Sequence, residues 1–298
     1  MSRSRERSAL FLKYKTRPDL DRYRYFRIDM NDGLPKLLRL LDEEKPDIVV
    51  NFAAQSEVWP SWDSPEDWYR TNCVALAILV NHLRKQSYLE RYVHISSSEV
   101  YGTSMVPIGE DAPLNPSTPY AASKAAADLL LFTYARTFGF PLVVVRGTNV
   151  YGARQQLFKL MPRCVIYLRL GKELELSGGG VARKAFINIR DVSCAEVTIM
   201  QEGEIGGIYH ISPDRDIAVY DVVRTICDRF GRTVEECTVE TPGRKGEDAA
   251  YRVDSSKTRQ LGWRPTIALD EGLDEIFEWV DEYWDEILRQ SLVYEHRR

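Results

Sequence analysis

Apolar residues along this chain alternate between two spacings. Pro46-Asp47-Ile48-Val49-Val50-Asn51-Phe52-Ala53-Ala54 is a near-continuous apolar run that turns small at its end, the pattern of a strand buried on both faces. Ahead of it, Leu34 to Glu44 places apolar residues at 34, 37, 38 and 41, which share one face of a helix. Behind it, Asp67 to Lys85 repeats the helical spacing through Val74, Ile78, Leu79 and Leu83. Tyr92 to Ser96 predicts another buried strand, Pro119 to Phe138 a helix and Pro141 to Arg146 a third strand, with Tyr25 to Ile28 as a short strand upstream. This rhythm predicts an α/β fold, a doubly wound parallel sheet with helices on both faces. Reactive loops in such sheets follow the carboxyl ends of the strands, here Ala53, Ser96 and Gly147.

Near Gly147 the pattern changes. Leu157 to Leu170, Val192 to Gln201, Val219 to Phe230 and Glu271 to Leu288 read as helices, and Lys184 to Ile189 as extended. We expect a smaller mixed α/β lobe over 147–298 packed on a sheet domain over 1–146, with the segment at about 184–200 returning to the sheet domain. The last helix carries Phe277, Trp279, Tyr283 and Trp284 among acids and reads as a surface helix docking an aromatic face.

Composition narrows the class. The 298 residues are 44% apolar and 28% charged, values of an ordinary globular protein rather than a disordered one. A formal charge of -4 gives no basic excess for a nucleic-acid partner. No run of eighteen apolar residues predicts a membrane span, and basic Met1 to Thr16 lacks the apolar core of a signal peptide. The five cysteines are scattered and form no CxxC pair, which suggests a reduced, cytoplasmic protein with no structural metal, Cys73 and Cys164 being core residues.

The sharpest chemical signal is Tyr120-Ala-Ala-Ser-Lys124 just after Pro119. Tyr and Lys at i and i+4 share one helix face. An ammonium beside a phenol favours the phenolate, so Lys124 is expected to draw the Tyr120 pKa down from its ordinary value of about 10. Such a phenol can take a proton from a sugar hydroxyl while hydride leaves the same carbon. Upstream, Ser96-Ser97-Ser98-Glu99-Val100-Tyr101-Gly102 sets hydroxyls and a carboxylate at a strand's carboxyl end; a serine there also caps a helical turn.

Together the SSSEVYG and PYAASK segments resemble the extended short-chain dehydrogenase/reductase family, specifically its NAD-dependent nucleotide-sugar epimerases and dehydratases. Asn51-Phe-Ala-Ala-Gln-Ser56, Thr71-Asn72, Arg146-Gly-Thr-Asn149-Val-Tyr151-Gly152, Phe186 to Val192 and Leu261-Gly262-Trp263-Arg264-Pro265 match in order over roughly residues 20 to 280. The resemblance implies a Rossmann-like fold and the cofactor NAD, touched by Asp29, Met30, Ala53, Ala54, Gln55, Asn72, Ser96, Tyr120 and Lys124. Asp29 is equally a helix cap for the pattern that follows it. It implies a nucleotide-diphosphate sugar as substrate, with Ser56, Asn149, Lys159, Leu160, Arg183 and Arg244 as contacts, and catalysis by Ser97, Ser98, Glu99, Tyr120 and Lys124. It also implies a homodimer built through a four-helix bundle, in keeping with apolar Leu76, Ile78, Leu79 and Leu129 to Phe132.

The row Ser97-Ser98-Glu99 keeps a Glu but lacks the Asp of the Thr-Asp-Glu row in dehydratases of thymidine-linked glucose. It is more similar to the Thr-Ser-Glu of the GDP-mannose type. A 4,6-dehydratase is therefore expected, with a 4-epimerase, a sugar-acid decarboxylase and a non-catalytic binding module as alternatives. One departure is large. The family's opening GxxGxxG turn, whose backbone N–H groups hold the dinucleotide pyrophosphate, has no counterpart here, and the first glycine is Gly33. The chain reads as a shortened form of an NAD enzyme. Ser177-Gly178-Gly179-Gly180 is no substitute, since no strand–helix pair brackets it. Among single residues, His94 and His82 read as packing residues, and Trp59 and Trp62 as loop packing or a cover for nicotinamide or sugar.

Overall fold

The computed structural model describes residues 8–243, 246 and 248–296. Its centre is a four-stranded, all-parallel sheet in the order β1 (Ile48–Asn51), β2 (Arg91–Ile95), β3 (Leu142–Gly147), β4 (Ile208–Ile211). Val50 stands opposite Val93, Val93 opposite Val143 and Val144 opposite Ile208.

Strand alternation divides the core into two layers. Tyr92, Leu142 and Val144 point to one face, where they pack with α1 (Leu34–Glu44), α3 (Leu76–Leu83) and α4 (Pro119–Phe138). Val93, Val143 and Val145 point to the other, against Val192, Ala195 and Ile199 of α6 (Ile189–Glu202). Between the layers of sequence, α2 (Pro65–Tyr69) runs into α3 through a wider π-helical turn, Arg70–Ala75, which buries Thr71 and Asn72. A third core joins α5 (Leu160–Arg169), α7 (Val219–Arg229) and α8 (Leu269–Glu282) around Val165, Ile226, Ile276 and Trp279. Trp279 also donates its ring N–H to the Leu10 carbonyl at 2.9 Å, so the aromatic face of the last long helix docks inward.

Local chemistry explains the helix that matters most. Thr118 accepts the Ala121 N–H at 3.1 Å as N-cap of α4, Pro119 occupies the first turn, and Gly139 ends the helix in the left-handed region at φ 65°. The expected span of Pro119 to Phe138 is the observed one.

Two expectations need correction. β1 is not buried on both faces: Val49 packs on the core around α1 and α3, but Ile48, Val50 and Phe52 point the other way and are exposed, Phe52 by 60%. A strand run is covered on both sides only where the sheet places a layer over each face, and β1 is the terminal strand. Tyr25–Ile28 forms no strand and carries only an isolated bridge residue, Arg27. Among the described residues, no helix is long and apolar enough to cross a membrane.

Candidate active site

The site forms where the carboxyl end of β2 meets the first turns of α4. Ser97 caps the short 3-10 turn Ser98–Tyr101, its Oγ accepting the Glu99 N–H at 3.2 Å. That turn swings Ser98 and Glu99 toward α4. Opposite, the Tyr120 N–H is fixed by the Ser61 hydroxyl at 3.1 Å, and the Tyr120 phenol lies near enough to the Ser97 side chain to be acted on by it. The phenol therefore reaches the serine–carboxylate ledge. One turn on, the Lys124 ammonium donates to the Ile95 carbonyl at 2.6 Å.

Below this pair a polar lattice holds the backbone. Asn72 accepts the Gln55 N–H at 2.9 Å, donates to the Gln55 carbonyl at 3.1 Å and donates to the Ser123 hydroxyl at 2.9 Å. Ser123 in turn donates to the Tyr120 carbonyl at 2.7 Å. The loop after β1 is thus tied to the first turn of α4 through one buried amide.

Burial sets the charges. It raises Glu99 from an ordinary carboxyl value to about 7; the Lys184 and Lys159 cations oppose the rise, while Asp248 and Glu57 add to it. A carboxyl poised near neutrality suits a group that must both accept and donate a proton. Burial likewise lowers Lys124 to about 8, against the pull of Asp128. The expected depression of the Tyr120 phenol by Lys124 is not what the structure holds. Burial first, and the Glu99 charge second, push Tyr120 well above its usual value. The ammonium is directed at the Ile95 carbonyl, and the low-polarity pocket disfavours a phenolate more than the i+4 cation favours it.

The residues expected to touch the cofactor fall into two groups. Asp29, Met30, Ala53, Ala54 and Gln55 line a cavity of about 1070 Å³, with Ser56 and Glu57 at the same wall. Asn72, Ser96, Tyr120 and Lys124 lie outside that lining, on the α4 side of the Gln55–Asn72 hydrogen bonds. A dinucleotide is long enough to need two such regions, and an acid beside β1 with a Tyr–Lys pair beyond it fits its two ends. Among the described residues, groups of a kind that could meet either end of a dinucleotide are therefore present.

The expected substrate contacts are less gathered. Lys159 is paired with Glu57 at 2.7 Å, Leu160 opens α5, and Asn149 donates to the Tyr251 hydroxyl at 3.3 Å. Arg183 is engaged by Asp216 at 3.1 Å and largely exposed. Arg244 lies outside the described residues. His94 is buried, His82 pairs with Asp42 at 2.7 Å on the surface, and Trp59 and Trp62 are exposed. Cys164 is a core residue, and Cys73 is half-buried, its thiol donating to the Ser123 carbonyl at 3.3 Å.

Sequence reading missed Ser61, Glu57, Lys184 and Asp248. Glu57 directly follows the Gln55-Ser56 motif and had that adjacency as a signal. Lys184 and Asp248 come from distant segments, where the Lys184 ammonium donates to the Asp248 carbonyl at 3.2 Å and lies 4.8 Å over the Tyr251 ring.

Comparison with known proteins decides the family. The family model described as GDP-mannose 4,6 dehydratase matches residues 3–276. The chain belongs to this family. Its relatives include a dTDP-glucose 4,6-dehydratase of Streptomyces niveus, 34% identical over 88% of this chain and 77% of that protein. A trifunctional UDP-glucose 4,6-dehydratase/UDP-4-keto-6-deoxy-D-glucose 3,5-epimerase/UDP-4-keto-L-rhamnose-reductase of Arabidopsis thaliana is 31% identical over 83% of this chain. The chain spans 38% of the length of that plant protein. Among solved structures, DesIV, a dTDP-glucose 4,6-dehydratase from Streptomyces venezuelae with NAD and TYD bound, superimposes with a TM-score of 0.84 at 31% identity, covering 90% of this chain and 83% of that one. This family member shares the α/β, Rossmann-type architecture of that enzyme.

Proposed function

We propose that the chain is an NAD-dependent nucleotide-sugar 4,6-dehydratase. The observation that carries this reading is the Tyr120 phenol on Ser97, with Glu99, raised to about 7, on the same ledge. A 4-epimerase needs the hydroxyl and the phenol alone; a buried carboxyl tuned to neutrality beside them fits an elimination. The dehydratase names of its relatives support the same choice.

In the proposed cycle Tyr120 reaches its phenolate form against the burial that disfavours it, that phenolate removes the proton of the C4 hydroxyl, and Ser97 hydrogen-bonds the oxygen that becomes the ketone. The C4 ketone acidifies C5–H, and Glu99 takes that proton. The C6 hydroxyl leaves as water, receiving its proton from Glu99 with Ser98 assisting. Asp29, Met30, Ala53, Ala54, Gln55, Asn72 and Ser96 with Tyr120 and Lys124 would hold NAD, which would supply a hydride acceptor for C4 and, once reduced there, a hydride donor for C6. Hydride entry at C6 leaves C5 to regain a proton from solvent, matched by the proton that Tyr120 releases, so that the product is a 4-keto-6-deoxy sugar with Tyr120 and the dinucleotide back in their starting states. On the nucleotide side, Ser56, Asn149, Lys159, Leu160, Arg183 and Arg244 are the contacts we assign to the nucleotide-diphosphate sugar, arginine forks suiting phosphate oxygens.

The test is a panel of nucleoside-diphosphate hexoses, each incubated with the chain and NAD and read by the alkaline absorbance of a 4-keto product. One member of the panel is expected to give that product. A C4 epimer without it, or carbon dioxide from a uronic acid, overturns the dehydratase reading. Stoichiometric binding of a nucleotide sugar without NAD binding or turnover leaves the non-catalytic module.

We further read 1–146, with about 184–200, as the cofactor unit and 147–298 as mainly the substrate lobe; the separate core around Val165, Ile226 and Trp279 supports this. The homodimer reading is supported by exposed Val74, Ile78 and Leu129 on the neighbouring π turn, α3 and α4, apolar side chains that a four-helix bundle would cover. Leu129→Glu is expected to convert a dimer to a monomer in light scattering with little change in helix content. A wild-type monomer at micromolar concentration would rule the bundle out. The five free cysteines suit a reducing, cytoplasmic setting.

A further inference from the structure

Beyond the short helix Trp284–Ile287 the chain runs back to the sheet domain as a strap over 291–296, past the end of the family match at residue 276. Its side chains alternate in burial as in an extended backbone. Leu292 packs on the core around Val165 and Trp279. Tyr294 meets Phe158 edge-on, with ring centroids 5.4 Å apart. His296 lies flat on Trp68 of α2, centroids 5.2 Å apart and planes 9° from parallel, and its Nε2 stands 2.8 Å from Asp67 Oδ2. A carboxylate only accepts, so Nε2 carries the hydrogen; in the neutral ring Nδ1 then accepts from the Tyr294 hydroxyl at 3.1 Å.

This latch is joined to the wall that carries Asp29. The Thr71 hydroxyl donates to the Asp67 carbonyl at 3.1 Å and accepts from the Asn31 amide at 3.1 Å, and the Asn31 N–H donates to Asp29 Oδ1 at 2.7 Å. Thr71, Asn31 and Asp29 all line the large cavity. So does the outward row of the strap: Ser291, Val293 and Glu295 are exposed, Val293 by 62%, and the space they face is that cavity. Phe52, just after β1 and exposed to a similar degree, lines it as well. With the strap in place the cavity still measures about 1070 Å³, at the upper end of the roughly 300–1,000 Å³ of ligand pockets, so the strap bounds the space instead of filling it. Of the acids on its lining, Glu57 is engaged by Lys159 and Glu286 by the Ser8 hydroxyl. Asp29 and Glu295 remain, and carboxylates accept hydrogen bonds and repel phosphate. Two acceptors and two open apolar side chains suit an adenosine, whose amine and ribose hydroxyls donate and whose ring has two apolar faces.

We propose that the strap is a wall of the dinucleotide site at its adenosine end, with Val293 and Phe52 giving apolar contact to the adenine, Glu295 accepting from the adenosine's donors, and His296 latching the wall to Asp67 and Trp68. The inference rests on the NAD reading above and adds to it a segment that lies outside the family match. A strap that served packing alone would need only its inward row, Leu292, Tyr294 and His296, and would be indifferent to what stands at position 293.

The test is Val293→Asp in the full chain, an exposed position where a substitution leaves the fold unchanged. Calorimetric titrations with NAD and with adenosine diphosphate ribose, which share the adenosine half, should both show Kd raised by at least about tenfold. His296→Ala releases the latch and keeps Val293; it should raise both Kd values by about threefold, because the wall is then no longer held in place before binding. Amide hydrogen exchange over 290–296 should slow when NAD is added to wild type and quicken in ligand-free His296→Ala. Unchanged Kd values in Val293→Asp overturn the proposal. Tighter binding in His296→Ala, the mark of a strap that excludes the dinucleotide, overturns it too, as does a loss confined to NAD, which would put the strap at the nicotinamide end. A wild type that binds neither ligand fails the NAD reading and the proposal together, whereas a wild type that binds both beside an indifferent Val293→Asp fails the proposal alone.

Discussion

Tyr120→Phe is expected to lower the rate of 4-keto product formation by about 10²- to 10⁴-fold, the usual span for removing a general base, while the chain stays folded. The ring is buried at the start of α4, and Phe fills the same volume there. What disappears is the hydroxyl that faces Ser97 and with it the acceptor for the C4 proton. Loss of a neutral hydrogen bond costs about 1 kcal/mol of stability, too little to unfold a domain. The measurement is kcat alongside a thermal melt. A variant that keeps more than about a tenth of the wild-type rate, below the range expected for general-base removal, would show that another group takes the proton.

Glu99→Gln should separate chemistry from stability in opposite directions. Elimination should fail, because the amide cannot take the C5 proton, whereas C4 oxidation, which uses Tyr120 and Ser97, should persist. Solvent deuterium should therefore stop entering C5 in the variant. Stability should rise at alkaline pH for an electrostatic reason. The Glu99 carboxyl titrates at about 7 in the fold against an ordinary 4.5, mainly through burial. Between those values the folded chain retains a proton that the unfolded chain has released, so stability falls as pH rises from 4.5 to 7 and stays reduced above. At roughly 1.4 kcal/mol per pKa unit the reduction is about 3 kcal/mol. A neutral Gln of similar shape escapes it, so Glu99→Gln should melt higher than wild type at pH 8 and alike near pH 4. Equal melting at both pH values would mean that Glu99 is ionised without cost, and the carboxyl would lose its fitness for proton exchange. For activity, the same shifts predict a rise in kcat/KM through pH about 7 as Glu99 ionises and a fall above about 8 as Lys124 loses its proton.

Legibility differed between the two halves of the site. The α4 side was readable because its determinants are neighbours in sequence: Thr118 as cap, Pro119 in the first turn, Tyr120 and Lys124 one turn apart, Gly139 as terminator. Ser97, Ser98 and Glu99 were readable for the same reason, since a strand followed by a capped turn is a local pattern. The acids and bases that tune them were not. Glu57, Lys159, Lys184 and Asp248 all act on Glu99, yet they come from four segments whose convergence no spacing rule reports. Arg146 lay inside a motif noticed for Asn149, and nothing local marks it as the partner of an aspartate on α4.

The sequence by itself determined where β1, β2, β3, α1 and α4 run, that the sheet is parallel with its loops at Ala53, Ser96 and Gly147, and which phenol, lysine, serines and carboxylate could meet there. Periodicity, capping and motif order are short-range properties, and they are written along the chain. The tertiary structure alone decided that β1 is the terminal strand with Phe52 exposed, that Arg183 is engaged by Asp216, and that burial rather than Lys124 sets the state of the Tyr120 phenol. Desolvation and charge pairing depend on what the rest of the fold places around a group, and two residues one helical turn apart cannot report how far water has been excluded from both.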